Sequence, residues 1–278
     1  MTTESVTTSH GEIAYRRSVG RSAIPIVLIH GNSSSGEIFR NQLEGEIGKA
    51  NALIALDLPG HGASSDARQP ERTYSMPGYA EAMVEALGKL GVERAIVFGW
   101  SLGGHIGLEM ISRFPDLVGL MITGTPPVGL GAESVGRGFR SHPHMASAGK
   151  DSLTRDEIDS FAHSTCGEPF EPFLLEAVAR TDGRARRLMF ESFAAGRGDD
   201  QSRIVATSKI PLAVVNGAQE PFVNLDYVRG LAYANLWEGE THEIPNSGHA
   251  PFWDAPAAFD PIFSRFINDM RAQAAETA

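Results

Sequence analysis

The chain reads as an α/β protein: a mainly parallel sheet flanked by helices, with an inserted helical cap. Two observations predict this. Short β-branched and aliphatic runs alternate with longer segments of helical periodicity, the pattern left in sequence by strands joined through crossover helices. Between about residues 127 and 207 that alternation stops, and three helical patterns follow one another with no strand between them. The expected organisation is a core of residues 1–126 and 208–278 with a cap of residues 127–207. A chain of 278 residues that is 42% hydrophobic is long enough to bury one large core carrying such an insertion.

In chain order, the expected strands are PIVLIH (25–30), ALIALD (52–57), RAIVFG (94–99), VGLMITG (118–124), PLAVVNG (211–217) and a stretch in LWEGETHEI (236–244). YAEAMVEALGKLG (79–91) and LGGHIGLEMISRFP (102–115) repeat apolar residues at helical spacing and stop at Gly91 and Pro115. Within the cap, TRDEIDSFAHS, EPFLLEAVART and GRARRLMFESFAAG read as helices. An insertion placed between two core strands covers the C-terminal edge of the sheet, where open α/β sheets bind ligands.

The formal charge of −10 and the sequence pI near 5.4 argue against nucleic acid or an anionic membrane as a partner, since both need a clustered basic surface. Arg180, Arg184, Arg186 and Arg187 do cluster, and are read as a solvated helix face with local ion pairs. Cys166 is the only cysteine, so no internal disulfide forms, and it is read as a small buried residue. The N-terminus has no apolar core of a signal peptide and no run reaches the roughly 18–20 apolar residues of a membrane span. A soluble, cytoplasmic monomer or weak homodimer is expected.

Gly99-Trp100-Ser101-Leu102-Gly103 matches G-x-S-x-G, a nucleophile elbow, with an expected strand before it and a helix after it. That context matters more than the match. Ser101 would sit on a sharp strand-to-helix turn, and Gly99 and Gly103 would avoid collisions as the turn tightens. A serine hydroxyl needs a base, and nine histidines compete. His249, in NSGHAPF after the last expected strand, has the right place in the order nucleophile, acid, histidine. His30 is read as ordering the loop after its strand, His61 lies in a Gly-rich turn, His105 in the helix after the elbow, His163 in the cap and His242 in the last strand. His142 and His144 form SHPH, but no third ligand completes a metal site. Neither a metal nor a cofactor is expected.

The base needs a carboxylate to fix its tautomer and stabilise the imidazolium. TGTPP, after VGLMITG, offers none. After PLAVVNG the chain offers Glu220, with Asp226 as the rival; Asp226 falls in a helical first turn, where an acid ordinarily serves the helix dipole. Glu220 is favoured. The oxyanion would be held by the backbone N–H groups of Leu102 and Asn32, the second in the loop after His30-Gly31. The Asn32 side chain is either a further contact to substrate or a plain turn-former. Gly31, Asn32, Trp100, Phe161 and Phe190 are the expected substrate contacts.

Taken together, HGNSSSG, DLPGHGASS, GWSLGGH, GAQEP and NSGHAPF resemble the α/β-hydrolase fold over nearly the whole chain. HGNSSSGEIF, QLEGEIG, FGWSLGGHIG, MITGTPPV, STCGEPF, ARTDGRARR and VVNG followed by EPFV resemble the metal-independent N-acyl-homoserine lactonases of that fold, quorum-quenching enzymes that open the lactone ring of bacterial signals. The resemblance implies a Ser101, His249, Glu220 triad with Asn32 and Leu102 at the oxyanion. It also marks one departure: Phe161 stands just ahead of STCGEPF, where close relatives carry Tyr, so a phenolic hydrogen bond to substrate would be missing.

The expected function is that of a carboxylic-ester hydrolase opening N-acyl-homoserine lactones. A carboxylesterase or lactonase acting on another small ester is the alternative, and a non-catalytic signal-binding protein a third reading. Ser101 at the elbow excludes dehalogenases and epoxide hydrolases, which need a carboxylate there. Phe161, Phe170, Phe173, Leu174, Met189, Phe190 and Phe193 are candidates to line an acyl-chain pocket; about half are expected to do so, because apolar residues at helical spacing also build plain core.

Overall fold

Strands β1 (Thr3–Thr7), β2 (Glu12–Arg17), β3 (Ile26–Ile29), β4 (Leu53–Leu56), β5 (Ala95–Trp100), β6 (Leu117–Thr123), β7 (Leu212–Gly217) and β8 (His242–Ile244) form one sheet in the order β1-β2-β4-β3-β5-β6-β7-β8. This computed structural model describes residues 2–276, apart from the side chains of His144 and Met145. β1 pairs antiparallel with β2, and β2 with β4; every pairing from β4 to β8 is parallel.

The central strands are continuous apolar runs because both faces of the sheet are covered. Period-two alternation divides them between two cores. Val27, Ile29, Val97, Leu120, Ile122 and Val214 face one side, against the helices Met76–Lys89 and Leu102–Met110. Ile26, Leu28, Ile96, Phe98, Trp100 and Met121 face the other, against the helix Pro256–Glu276. Phe98 is fully buried, a contribution of about 1.5–3 kcal/mol from side-chain burial alone.

The structure refines two sequence expectations. The antiparallel pair β1–β2 was not expected; TESVT has no buried residue, so it lacks the apolar run that marks an inner strand. The strand expected within LWEGETHEI is short. Glu238 at φ 56 and Gly239 at φ 73 turn the chain through a short 3₁₀ segment, Trp237–Gly239, and only His242–Ile244 joins the sheet.

Between β6 and β7 the described chain carries helices and no strand. Arg155–Cys166 starts on a capping box of Thr154 and Glu157 and stops at Gly167, φ 67. Pro172–Arg180, Gly183–Ala194 and Gln201–Thr207 follow. The loops after β3, β5, β7 and β8 open at the same edge of the sheet, which brings distant parts of the sequence together.

Candidate active site

Ser101 stands immediately after β5 with φ 54 and ψ −116, a backbone region that costs a non-glycine residue on the order of 1–3 kcal/mol. The surroundings hold it there. Its N–H donates to Thr123 O at 2.8 Å, and its carbonyl accepts from Thr125 Oγ1 at 2.8 Å and from the N–H groups of Gly104 and His105. A Cβ on Gly99 would lie 2.3 Å from Gly103 O, and one on Gly103 would lie 2.0 Å from Ile29 O. Both glycines are thus required by close backbone approach, as the elbow pattern implied. Ser101 precedes the helix Leu102–Met110, yet its hydroxyl caps no helical N–H.

His249 follows β8, and Glu220 lies three residues past β7. His249 Nδ1 is 2.9 and 2.8 Å from the two Glu220 carboxylate oxygens. A carboxylate accepts only, so Nδ1 carries the proton and Nε2 is left as a base. Glu220 is buried and its Oε1 also accepts from the N–H of Phe222 at 2.8 Å and of Val223 at 3.3 Å. Its burial is therefore matched by hydrogen bonds. Trp100 Nε1 donates to His249 O at 2.8 Å, and the Phe222 ring packs edge-on against the imidazole. Asp254, which the sequence reading passed over, accepts from Ser247 Oγ and from Gly248 N–H and so ties the loop just ahead of His249. Ser101 and His249 line one cavity, although no described hydrogen bond joins Ser101 Oγ to His249. The side chain of Asp226, the rival acid, is 82% exposed and ion-paired to Arg229.

Gly31 and Asn32 follow β3. A Cβ on Gly31 would come within 3.2 Å of Ser101 Cβ, so glycine lets this loop close on the elbow. The Asn32 and Leu102 N–H groups donate to no other described residue. The Asn32 side chain lies in a turn and is tied at both ends. Its Nδ2 donates to Ala148 O at 2.9 Å and its Oδ1 accepts from Ser33 Oγ at 3.2 Å, which fastens the loop to the helical segment above.

Arg186 corrects the reading of the arginine cluster. Arg180, Arg184 and Arg187 do make surface ion pairs, with Asp66, Asp182, Asp151 and Glu191. Arg186 is 4% exposed and donates to the carbonyls of Lys150, Asp151, Val178 and Thr181 and to Ser33 Oγ. Burial lowers its pKa.

The cavity measures about 170 Å³ and is lined almost wholly by apolar groups. Gly31, Asn32, Trp100, Phe161 and Phe190 all border it, as expected, with Leu102 and Phe222. Of the seven acyl-pocket candidates, Phe161, Met189, Phe190 and Phe193 line it. Phe170 instead stacks on His163, Phe173 packs on Trp253, and Leu174 belongs to the core. His105 also lines the cavity, a placement the sequence reading did not assign; its position one helical turn past Ser101 was the available signal.

The remaining candidates have structural surroundings. His30 Nδ1 donates to Gly31 O and its Nε2 accepts from the Leu58 N–H, which orders the loop as read from the sequence. Burial pushes the Cys166 thiol up to about 12. Of SHPH, His142 packs edge-on against Phe222 and the side chain of His144 lies outside the described residues. Glu238, Glu240 and His242 approach within ligand distance of one another, but none borders the cavity and His242 Nε2 lies 3.2 Å from Glu238 Oε2. No described helix is long and apolar enough to cross a membrane.

A strand-elbow-helix serine beside a histidine–carboxylate pair, at the C-terminal edge of a mainly parallel sheet, defines a class, and residues 26–261 match the family model of the alpha/beta hydrolase family. The chain belongs to that family. Within it the chain groups with the N-acyl homoserine lactonase AidH. It is 58% identical to AidH in a crystal structure with N-butanoyl homoserine, with 97% of each chain covered and a TM-score of 0.95. An AidH mutant complexed with N-hexanoyl homoserine lactone superposes with a TM-score of 0.94. A 2-hydroxy-6-oxononadienedioate/2-hydroxy-6-oxononatrienedioate hydrolase from a Pseudomonas species is 24% identical, with 87% of each chain covered.

Proposed function

We propose that the protein opens the lactone ring of N-acyl homoserine lactones through Ser101, His249 and Glu220, the core residues 1–126 and 208–278 supplying the chemistry and residues 127–207 acting as a cap. The observation that carries this reading is the 58% identity to a lactonase over 97% of both chains. His249 Nε2 takes the Ser101 proton as Oγ attacks the lactone carbonyl carbon. The tetrahedral oxyanion is held by the Asn32 and Leu102 N–H groups. When it collapses the ring C–O bond breaks, and His249 returns the proton to the departing alkoxide. This leaves an acyl-enzyme ester bearing a free hydroxyl. His249 then deprotonates a water, which attacks the ester and releases the acyl-homoserine carboxylate, Ser101 and one net proton. Glu220 holds the imidazole tautomer and stabilises its charged form throughout. No step calls on a metal or cofactor.

The reaction is assigned to the cytoplasm and to destruction of quorum-sensing signals by a monomer or weak homodimer. The test is proton release on N-hexanoyl homoserine lactone. Wild type should release one proton per ring opened, and Ser101→Ala should remove nearly all turnover; turnover kept in Ser101→Ala overturns the mechanism. A second reading, hydrolysis of another small ester, draws on the cavity's almost wholly apolar wall. Higher kcat/KM on nitrophenyl esters than on lactones would select it. Tight lactone binding without turnover would make the protein a signal-binding module instead.

A further inference from the structure

His105 is the histidine that the mechanism leaves unused although it borders the cavity. It lies four residues past Ser101 on the helix Leu102–Met110, with the Phe193 ring 5.1 Å and the Phe139 ring 6.1 Å from its own. Its tautomer is set by Gln201, a buried residue. The Gln201 amide nitrogen faces His105 O at 3.5 Å, which turns Oε1 toward His105 Nδ1 at 2.7 Å. An amide oxygen only accepts, so Nδ1 bears the hydrogen and Nε2 keeps an open lone pair.

That lone pair has no partner among the described residues, and Nε2 is not among the sealed, unpartnered atoms such as His61 Nε2. It opens on the cavity that His105 lines. The other polar groups of the wall are committed. Asn32 is tied to Ala148 and Ser33, Thr165 Oγ1 donates to Phe161 O, Trp100 Nε1 donates to His249 O, and Ser101 and His249 are reserved for the reaction. Burial pushes the His105 pKa down to about 4, so the ring stays neutral at physiological pH.

We infer that His105 is a specificity-determining residue: its Nε2 accepts a hydrogen bond from a donor on the non-reacting part of the substrate, either the amide N–H of an acyl-homoserine lactone or a hydroxyl on its acyl chain. This rests on the lactonase reading above. A fixed acceptor in an apolar wall favours a substrate that brings a donor, because a substrate without one leaves the acceptor desolvated and unpaired.

Three substrates separate the sources: N-hexanoyl homoserine lactone, its 3-hydroxy form, and α-hexyl-γ-butyrolactone, which has no amide. Two variants separate the two ring nitrogens. His105→Asn keeps a donor for Gln201 but loses the acceptor at Nε2, whereas His105→Gln places an amide oxygen near Nε2. In His105→Asn, kcat/KM on the donor-bearing lactone relative to its donor-free counterpart should fall about tenfold, the size of one hydrogen bond of about 1.4 kcal/mol. His105→Gln should recover part of that ratio. A fall in the acyl-homoserine over the alkyl lactone ratio assigns the amide; a fall in the 3-hydroxy over the unsubstituted ratio assigns the hydroxyl. If His105→Asn lowers all three substrates by one common factor, the residue is structural and the inference is wrong. Wild-type protein inert on all three sinks the lactonase reading and this inference with it.

Discussion

On the sheet side of the cavity, each group of the proposed triad is held by backbone geometry. Ser101 is fixed at φ 54 between two glycines that no larger residue could replace, and Glu220 is anchored by two backbone N–H groups while it holds His249. On the helical side, Phe161, Met189, Phe190 and Phe193 present surface without direction, and the fastenings to the sheet side include Asn32 to Ala148 and Arg186 to Ser33. Dispersion and burial are tolerant of small shifts, whereas a triad is not. The proposed chemistry therefore draws on the sheet side, and most of the apolar surface offered to a substrate lies across from it.

Glu220→Gln attacks the stricter wall. The amide oxygen can still accept from Phe222 N–H, but the charge that stabilises the imidazolium is gone and the His249 tautomer is no longer enforced. We expect kcat to fall roughly 10³–10⁴-fold with the thermal unfolding midpoint nearly unchanged. Asp226→Asn, at an exposed ion pair, should leave kcat within about twofold. If the two variants exchange behaviour, the acid has been misassigned.

Arg186→Met tests the fastening between the walls. Five hydrogen bonds are removed at once, three of them buried and two partly buried, and leaving a buried group unpaired costs about 1–3 kcal/mol before relaxation. A net loss of about 2–4 kcal/mol in denaturant unfolding is expected, against no resolvable loss for the exposed Arg187→Met. Equal losses in both variants would return Arg186 to the solvated face that its sequence context suggested.

The difference between the walls is also a difference in legibility. The proposed triad of Ser101, His249 and Glu220 is legible because each member needs a particular residue in a particular local setting: a serine between glycines, a histidine after the last strand, an acid past a strand end. Arg186 and His105 are not. Helical spacing places Arg186 beside Ala185 and Met189 as readily as beside Arg187, and whether its face meets carbonyls or water depends on residues 148–151 folding against it. His105 acquires its tautomer from Gln201, 96 positions away, a contact that leaves no local trace. The hairpin β1–β2 escapes because an edge strand with exposed residues carries no apolar run, and where the last strand begins after Leu236 is not legible because apolar spacing does not reveal that Glu238 adopts φ 56.

Acid should charge the buried, neutral histidines that lie outside the proposed triad. Burial pushes the pKa of His30 to about 4, of His61 to about 3 and of His105 to about 4, whereas in the unfolded chain each takes a proton near pH 6.5. Their folded pKa values are depressed, so the stability they contribute is complete above about pH 6.5. It is lost as pH falls toward 4, because the unfolded state binds protons first. Each neutral histidine should steepen the decline by up to roughly 1.4 kcal/mol per pH unit in that window. Denaturant unfolding at a series of pH values checks this, and a stability that rises from pH 6.5 to 4.5 would contradict it.

The smallest expected effect lies on the permissive wall. Phe161 is buried against the cavity, and Phe161→Tyr adds a phenolic hydroxyl to a surface with almost no polar atoms. A hydroxyl that donates to the lactone should favour an acyl-homoserine lactone over a nitrophenyl ester, which lacks the ring and amide acceptors. One neutral hydrogen bond contributes about 0.5–1.5 kcal/mol net, so the ratio of kcat/KM values for the two substrates should rise by roughly two- to tenfold. Because the triad is untouched, the pH dependence of kcat should keep its wild-type shape. If instead both substrates slow equally, the added oxygen is simply an unpaired polar group in an apolar wall, and this side of the cavity selects by shape alone.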